Sequence, residues 1–346
     1  MFKPNFRYTN RIVTLIGKIA ASREVVLNSP LVPKWEVSLR REAMVRSAHS
    51  STSIEGNKLT LDQVSKLAEG RNIMASRKDK QEVLNYLNVL ERLDAFVEDG
   101  KTISEKIVLR IHKQLTKDSL DDPSDSGVYR KKYVVVGNRL TGEVNFYPPE
   151  NEQVPSLIQE YVQWLNSSAA LELDAVIEAG IAHYEFVRIH PFVDGNGRAA
   201  RVIAALLLYL RGFDTKRFFS LDDYYDTDRK AYYAALATVD KDVRDVTKWL
   251  EYFVEGVAVS IEAVKERVIR LSSERLKRTQ RGQIALTEKQ MKIVEFINQN
   301  ERISNKNVRE LFKVSAQAAH KEISKLVELG VLKPVGKGRS LSYLLK

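Results

Sequence analysis

The twelve residues His190-Pro191-Phe192-Val193-Asp194-Gly195-Asn196-Gly197-Arg198-Ala199-Ala200-Arg201 run without a break into the apolar stretch Val202-Ile203-Ala204-Ala205-Leu206-Leu207-Leu208. The apolar stretch reads as a buried helix, so a core helix must begin where a polar, glycine-rich loop ends. Its N-terminus opens directly behind Gly195-Asn196-Gly197. Backbone N–H groups without intrahelical acceptors and the positive end of the helix dipole meet there, and both favour an anion. The loop reads as a phosphate cradle.

The side chains fit that reading. Arg198 and Arg201 are three apart on the first helical turn and project from one face toward the loop. Their guanidinium forks suit phosphate oxygens. Asp194 offers a hard oxygen ligand to Mg²⁺, which binds through one or two carboxylates and the substrate phosphates themselves. His190, just ahead of the loop, is able to take a proton from an attacking hydroxyl at neutral pH. The alternative is a glycine turn between two helices, with the arginines in solvent and the histidine packed in the core. The coincidence of residue types and spacing over the whole segment argues against it.

This segment matches the pattern H-x-F-x-[D/E]-G-N-G-R-x-x-R, and the sequence resembles the Fic family. The resemblance covers roughly residues 40 to 260, including an upstream Ser51-Thr52-Ser53-Ile54-Glu55-Gly56, a hairpin region and the run of helices. It implies a mainly α fold, a Fic helical domain with a β-hairpin flap. It also implies an enzyme, a protein adenylyltransferase that uses ATP as co-substrate with Mg²⁺. By the same resemblance His190 deprotonates the incoming hydroxyl and Asp194 holds the metal. Gly195, Asn196, Gly197, Arg198, Ala199, Ala200 and Arg201 bind the nucleotide, with Arg201 on the γ-phosphate. Ser51, Glu55 and Gly56 form an S-x-x-x-E-G inhibitory motif whose glutamate pairs with Arg201, and so touches the nucleotide site. Tyr232 falls where Fic proteins contact the base or its sugar. Other members transfer UMP, phosphocholine or phosphate, or remove AMP, and the motif leaves reversal open.

Read from the residues alone, Ser51 and Glu55 are an i, i+4 pair in a helix's last turn, where a carboxylate opposes the helix dipole and asks for a cationic partner. The same helix runs from about Trp35 to Ile54, after one over 9–28 that Pro30 and Pro33 break. Helical patterns follow at Leu61–Leu67, Arg77–Val97 and Ile103–Leu115, and His112 on the last reads as a packed core histidine. Two β-type runs, Tyr133–Val136 and Val144–Tyr147, flank a turn-rich segment and end at Pro148-Pro149. Such a hairpin must lean on the helical body, and its free edge is suited to align an extended segment of a target protein, or of the chain itself. Val154–Leu165 and Asp174–Ile189 are the next helices. His183 on the second reads as structural, because its spacing to His190 is not that of a zinc helix. Leu221–Tyr225 reads as a connection before a helix that starts at Tyr232-Tyr233.

From Val246 to about Arg278 one long helix carries Leu250, Val254, Val257, Ile261, Val264, Val268 and Leu271 in a heptad-like seam. The seam packs within the chain or forms a homodimer. Arg278–Gln283 is the linker. Thr287–Asn298, Ser304–Phe312 and Ser315–Leu329, each with a Ser or Thr cap, precede a basic-tipped hairpin, which together make a winged helix-turn-helix. Ser315, Gln317, His320 and Lys321 would face a DNA groove, with Lys337 and Arg339 on phosphate, although the module also binds proteins. Of a net charge of +10, residues 281–346 supply most, with 13 Lys/Arg against 6 Asp/Glu.

The expected domains are an N-terminal helical region over 1–100, a catalytic domain with the long helix over 101–280, and the winged helix over 281–346. With 346 residues and no cysteine, the chain excludes disulfides and thiolate metal sites. Charges interrupt every apolar run at the N-terminus, and none approaches the ~20 residues of a membrane span. The expectation is a soluble cytoplasmic protein with no membrane partner.

Overall fold

The computed structural model describes residues 2–29, 31, 33–96, 102–137, 144–213, 218–240, 242–276, 286–336, 338 and 341–346. It is mainly helical. The helices are α1 (Asn10–Asn28), α2 (Pro33–Ile54), α3 (Leu61–Ala68), α4 (Arg77–Glu91), α5 (Glu105–Leu115), α6 (Val154–Leu165), α7 (Ser168–Leu171) and α8 (Ala175–Ile189). They continue as α9 (Asn196–Leu210), α10 (Leu221–Thr227), α11 (Arg229–Ala237), α12 (Thr247–Leu276), α13 (Glu288–Asn300), α14 (Asn305–Phe312) and α15 (Ala316–Glu328). Two antiparallel strand pairs accompany them, β1 (Val136–Gly137) with β2 (Val144–Phe146), and β3 (Leu332–Val335) with β4 (Ser342–Leu345).

The chain divides into two compact units, one of residues 1–24 and 43–264, the other of 25–42 and 265–346. These units cut across the expected regions 1–100, 101–280 and 281–346. Residues on either side of position 100 share one core: Ile12, Ala48, Val64 and Tyr86 pack in the same apolar cluster as Phe186 and Val202. Likewise the C-terminal unit takes in residues 25–42, and Val37 joins the cluster of Ile293, Val308 and Ile323.

The first unit is built around α8 and α9. Both are apolar on nearly every side, so neither tolerates solvent, and they pack along each other while α4 and α5 cover α9 and α6 covers α8. On α12, Trp249 donates its indole N–H to Gly180 O of α8 at 2.8 Å. Leu250, Val254, Val257 and Ile261 of the heptad seam are fully buried in this core, so that part of the seam packs within the chain. Helix α1 lies beside α12, with Thr9 Oγ1 donating to Glu251 at 2.7 Å and Ser22 Oγ to Glu262 at 2.7 Å.

Three local expectations change. Leu221–Tyr225 is the start of a helix rather than a connection, because Ser220 caps it by accepting from Asp223 N. The helix from Arg77 ends at Glu91 and continues only as a 3₁₀ turn over Leu93–Phe96. The first hairpin is shorter than its β-type residues suggest. Val136 pairs with Phe146, so Val134 would have to pair opposite Pro148, which has no N–H to give. In the second unit, α13, α14 and α15 begin on Thr287, Ser304 and Ser315 caps, and β3 and β4 follow them. The linker 278–283, and Lys337 and Arg339, lie outside the described residues.

Candidate active site

Helix α8 stops at His190, whose left-handed backbone (φ 51°, ψ 57°) turns the chain into the loop. Phe192 is fully buried and stacks on the His112 ring with centroids 3.5 Å apart. Asn196 closes the loop over it: its side chain accepts from Phe192 N at 2.9 Å and donates to Phe192 O at 2.8 Å. Between them Gly195 has φ +80°, and a β-carbon there would come within 3.0 Å of Thr116 Cγ2 and 3.3 Å of His112 Nε2. Only glycine suits both conditions.

His112 is buried, as its apolar surroundings predict, but it is more than packing. Its Nδ1 accepts from Gly127 N at 3.0 Å, so Nε2 carries the proton and donates to Asp194 O at 2.8 Å. Burial, the largest influence, pushes the imidazole down to about 4 and keeps it in this neutral form. The helical spacing around residue 112 gives no sign of this role, since the groups it holds are 15 and 82 positions away.

Arg198 and Arg201 are both almost fully buried. Arg198 Nη2 donates to Asp194 Oδ1 at 3.2 Å, and Nη1 faces Glu82 Oε1 at 3.5 Å. Its Nε and Nη1 have no hydrogen-bond partner among the described residues. A buried guanidinium with unused N–H groups, beside a helix N-terminus, is a site that an anion completes.

Arg201 is fully engaged instead. Nε donates to Ser51 Oγ at 2.7 Å, and Nη2 to Ser51 O at 2.9 Å and to Glu55 Oε1 at 2.8 Å. Asp222 Oδ1 lies 3.4 Å from Nε and accepts from Tyr86 Oη at 3.1 Å. Burial raises the Asp222 carboxyl above the ordinary range, against the pull of Arg201. Asp222 is a site residue that sequence reasoning missed, having placed it in a connection. Glu55 also sits over the loop: a methyl at Gly197 would overlap its Oε1 and come 3.1 Å from Arg201 Nη1. Gly56 ends α2, donating its N–H to Ser53 O at 3.0 Å.

His190 Nδ1 meets Val187 O at 3.2 Å. A carbonyl only accepts, so Nδ1 carries the proton and Nε2 is the basic nitrogen. Burial lowers this imidazole to about 4, with Glu55 and Asp194 pulling the other way. Asp194 is about a third exposed at the site's mouth and its Oδ1 accepts from Gly195 N at 2.5 Å. Among the described residues no cluster of three or more His, Cys, Asp or Glu could cage a metal. One hard carboxylate beside an anion site suits a cation that arrives on phosphates, which is how Mg²⁺ is usually held.

Three sequence assignments change. Ala199 and Ala200 are fully buried in the core, and Ala199 N bonds to Gly195 O, so they present no open group to a nucleotide. The Tyr232 ring is 2 % exposed, lies 4.6 Å from the Tyr225 ring, and its hydroxyl meets His183 Nε2 at 3.2 Å. The ring packs on the inner face of α11, with its hydroxyl among His183 and Arg201. Its neighbour Tyr233 is 45 % exposed and feels the charge of Glu55 and Arg201. His183 is fully buried, in keeping with its structural reading.

Residues 102–208 match the model of the Fic/DOC family. The protein adenylyltransferase Fic of Drosophila melanogaster is 31% identical over 176 residues, 50% of this chain and 34% of that protein. The chain thus spans about a third of the length of the curated relatives it matches. Among solved structures, Fic-1 of C. elegans (residues 134–508) superposes with a TM-score of 0.60 at 26% identity, over 76% of this chain and 73% of that one. A Fic family protein of Desulfovibrio desulfuricans G20 covers 100% of this chain and 98% of its own, with a TM-score of 0.66 at 22% identity, a likeness of fold. No described helix is long and apolar enough to cross a membrane.

Proposed function

Because residues 102–208 are a Fic/DOC family domain, we propose that this chain transfers AMP from Mg²⁺-bound ATP to a Ser, Thr or Tyr hydroxyl of a protein, and that Glu55 restrains it. The observation that carries the reading is the buried Arg198 with unused N–H groups at the head of α9, beside a histidine whose Nε2 is basic. In the step, the hydroxyl oxygen attacks the α-phosphorus and its proton passes to His190 Nε2. The P–O bond to the β-phosphate breaks, and pyrophosphate leaves with the bonding pair. The amides at Gly195 to Gly197 and Arg198 stabilise charge on the α- and β-phosphates, and Arg201 takes the γ-phosphate when Glu55 withdraws. Asp194 would hold Mg²⁺, which shields the phosphates from one another. Positioning and preorganised charge supply most of the acceleration. The edge of the β1–β2 hairpin would seat the acceptor segment by strand addition, from a partner protein or from the chain itself.

ATP labelled at either the α- or the γ-phosphate tests the reaction class. AMP transfer leaves the α-label on protein; phosphoryl transfer leaves only the γ-label. A chain that instead releases AMP from a previously modified protein is working in reverse.

The C-terminal unit supports a second activity. Gln317, His320 and Lys321 of α15 and its cap Ser315 are exposed while Ala319, Ile323 and Leu326 are buried, a two-faced pattern that suits a recognition helix in a winged helix-turn-helix. Duplex DNA is the ligand this basic unit fits. Its affinity should fall steeply with salt, and Lys337→Ala with Arg339→Ala should lower the slope by roughly one for each phosphate no longer neutralised. Binding that is absent at low salt would leave a protein as the partner.

A further inference from the structure

Arg130 is 2 % exposed, and its guanidinium is used entirely on backbone carbonyls among its described hydrogen bonds. Nε donates to His190 O at 2.8 Å, Nη1 to Lys132 O at 3.4 Å, and Nη2 to Pro149 O. The same residue's N–H donates to Pro191 O at 2.9 Å. One side chain therefore joins the turn that carries the base, the segment leading into β1, and the segment leaving β2.

The turn needs such a tie. A non-glycine residue in the left-handed region is strained by roughly 1–2 kcal/mol and persists only where its surroundings hold it. His190 has that backbone, and the direction of its carbonyl, set by Arg130, is the direction of the turn. The preceding residues strengthen the same strap, since Gly127 N binds His112 and the Tyr129 ring lies 5.7 Å from Phe192. Proton transfer requires the hydroxyl within about 3 Å of Nε2, and an error of about 1 Å is costly.

We propose that Arg130 is a positioning residue that registers the β1–β2 hairpin against His190, so that a hydroxyl seated on the hairpin edge arrives at Nε2. The proposal rests on the transfer reading above. Arginine is required because a planar fork reaches three carbonyls at once, whereas a lysine ammonium is a point charge that cannot span them. None of Arg130's described hydrogen bonds goes to Gly195, Asn196, Gly197 or Arg198, so nucleotide binding is a separate quantity.

The test uses the full chain with Glu55→Gly, to which Arg130→Lys or Arg130→Met is added. The expected result is transfer lowered about 10- to 100-fold at saturating ATP, with a raised KM for the acceptor and an ATP Kd within about twofold. Arg130→Lys should recover folding but not transfer. Transfer at the parent rate, or ATP affinity falling in step with transfer, overturns the proposal. So does failure of both variants to fold, which would make the role structural. Should the parent chain transfer no label, the transfer reading fails on its own, and ¹³C-histidine spectra still decide on Arg130. The His190 ring signal, assigned with His190→Gln, should shift or broaden in Arg130→Lys while that of His320 does not; an unmoved His190 signal overturns the proposal.

Discussion

Glu55 Oε1 accepts from Arg201 Nη2 at 2.8 Å, at the mouth of the loop whose Gly197 lies directly beneath the carboxylate. The negative charge at the head of α9 is thus already present, supplied by α2. A carboxylate and a phosphate cannot share that position. Gly197→Ala tests the geometry without touching either charge, because its methyl would overlap Glu55 Oε1 and stand where a phosphate must approach. The expected outcome is an ATP affinity reduced roughly tenfold with no gain in transfer, measured by titration and by label incorporation.

His190→Ala should separate binding from chemistry. The anion contacts come from the loop amides and Arg198, so ATP should bind with nearly its original affinity. Transfer should fall by roughly 10² to 10⁴ with the base removed. Equal transfer rates in the two proteins would remove His190 from the role of base.

Acid should destabilise the fold over a defined window. Burial lowers His112 to about 4, His183 to about 3 and His190 to about 4 from an ordinary 6.5. Between those values the unfolded chain binds more protons than the folded one, so stability rises with pH. The contribution of these neutral imidazoles is whole above about 6.5 and is lost as pH falls toward 4 and then 3. Thermal midpoints between about pH 7 and about pH 5 should fall with acid, and less steeply in His183→Gln, which has no imidazole to charge. Parallel slopes in the two proteins would rule out His183 as a source.

The parts of the candidate anion site were legible in the sequence because they are local. A helix start, two arginines one turn apart and a histidine before the loop all follow from spacing within twelve residues, and Glu55 became a candidate for Arg201 through the family resemblance. What the sequence hid is what the fold brings from afar. Asp222 reaches Arg201 from a helix whose start looked like a connection, and His112 and Arg130 bind loop carbonyls that carry no residue-specific pattern. The burial of Tyr232 was equally hidden. The resemblance places it at the base or its sugar, and spacing alone does not reveal that the core covers its face of α11. Spacing likewise does not reveal that α1 to α4 share the core of the later helices.

The proposed function requires AMP-transfer machinery held back by Glu55. The most direct measurement is incorporation of α-labelled ATP into protein by the full chain and by its Glu55→Gly variant. A hydrogen-bonded, partly buried ion pair of this kind is worth roughly 1.5–3 kcal/mol, or about 10- to 150-fold in productive occupancy. The account expects α-label incorporation to rise by that factor in Glu55→Gly, to vanish when His190→Ala is added, and not to rise in Arg201→Ala, which frees Glu55 but removes the γ-phosphate ligand. If ATP binds both proteins while Glu55→Gly incorporates no more α-label than the parent, Glu55 is only a charge at the end of α2 and the claim is contradicted.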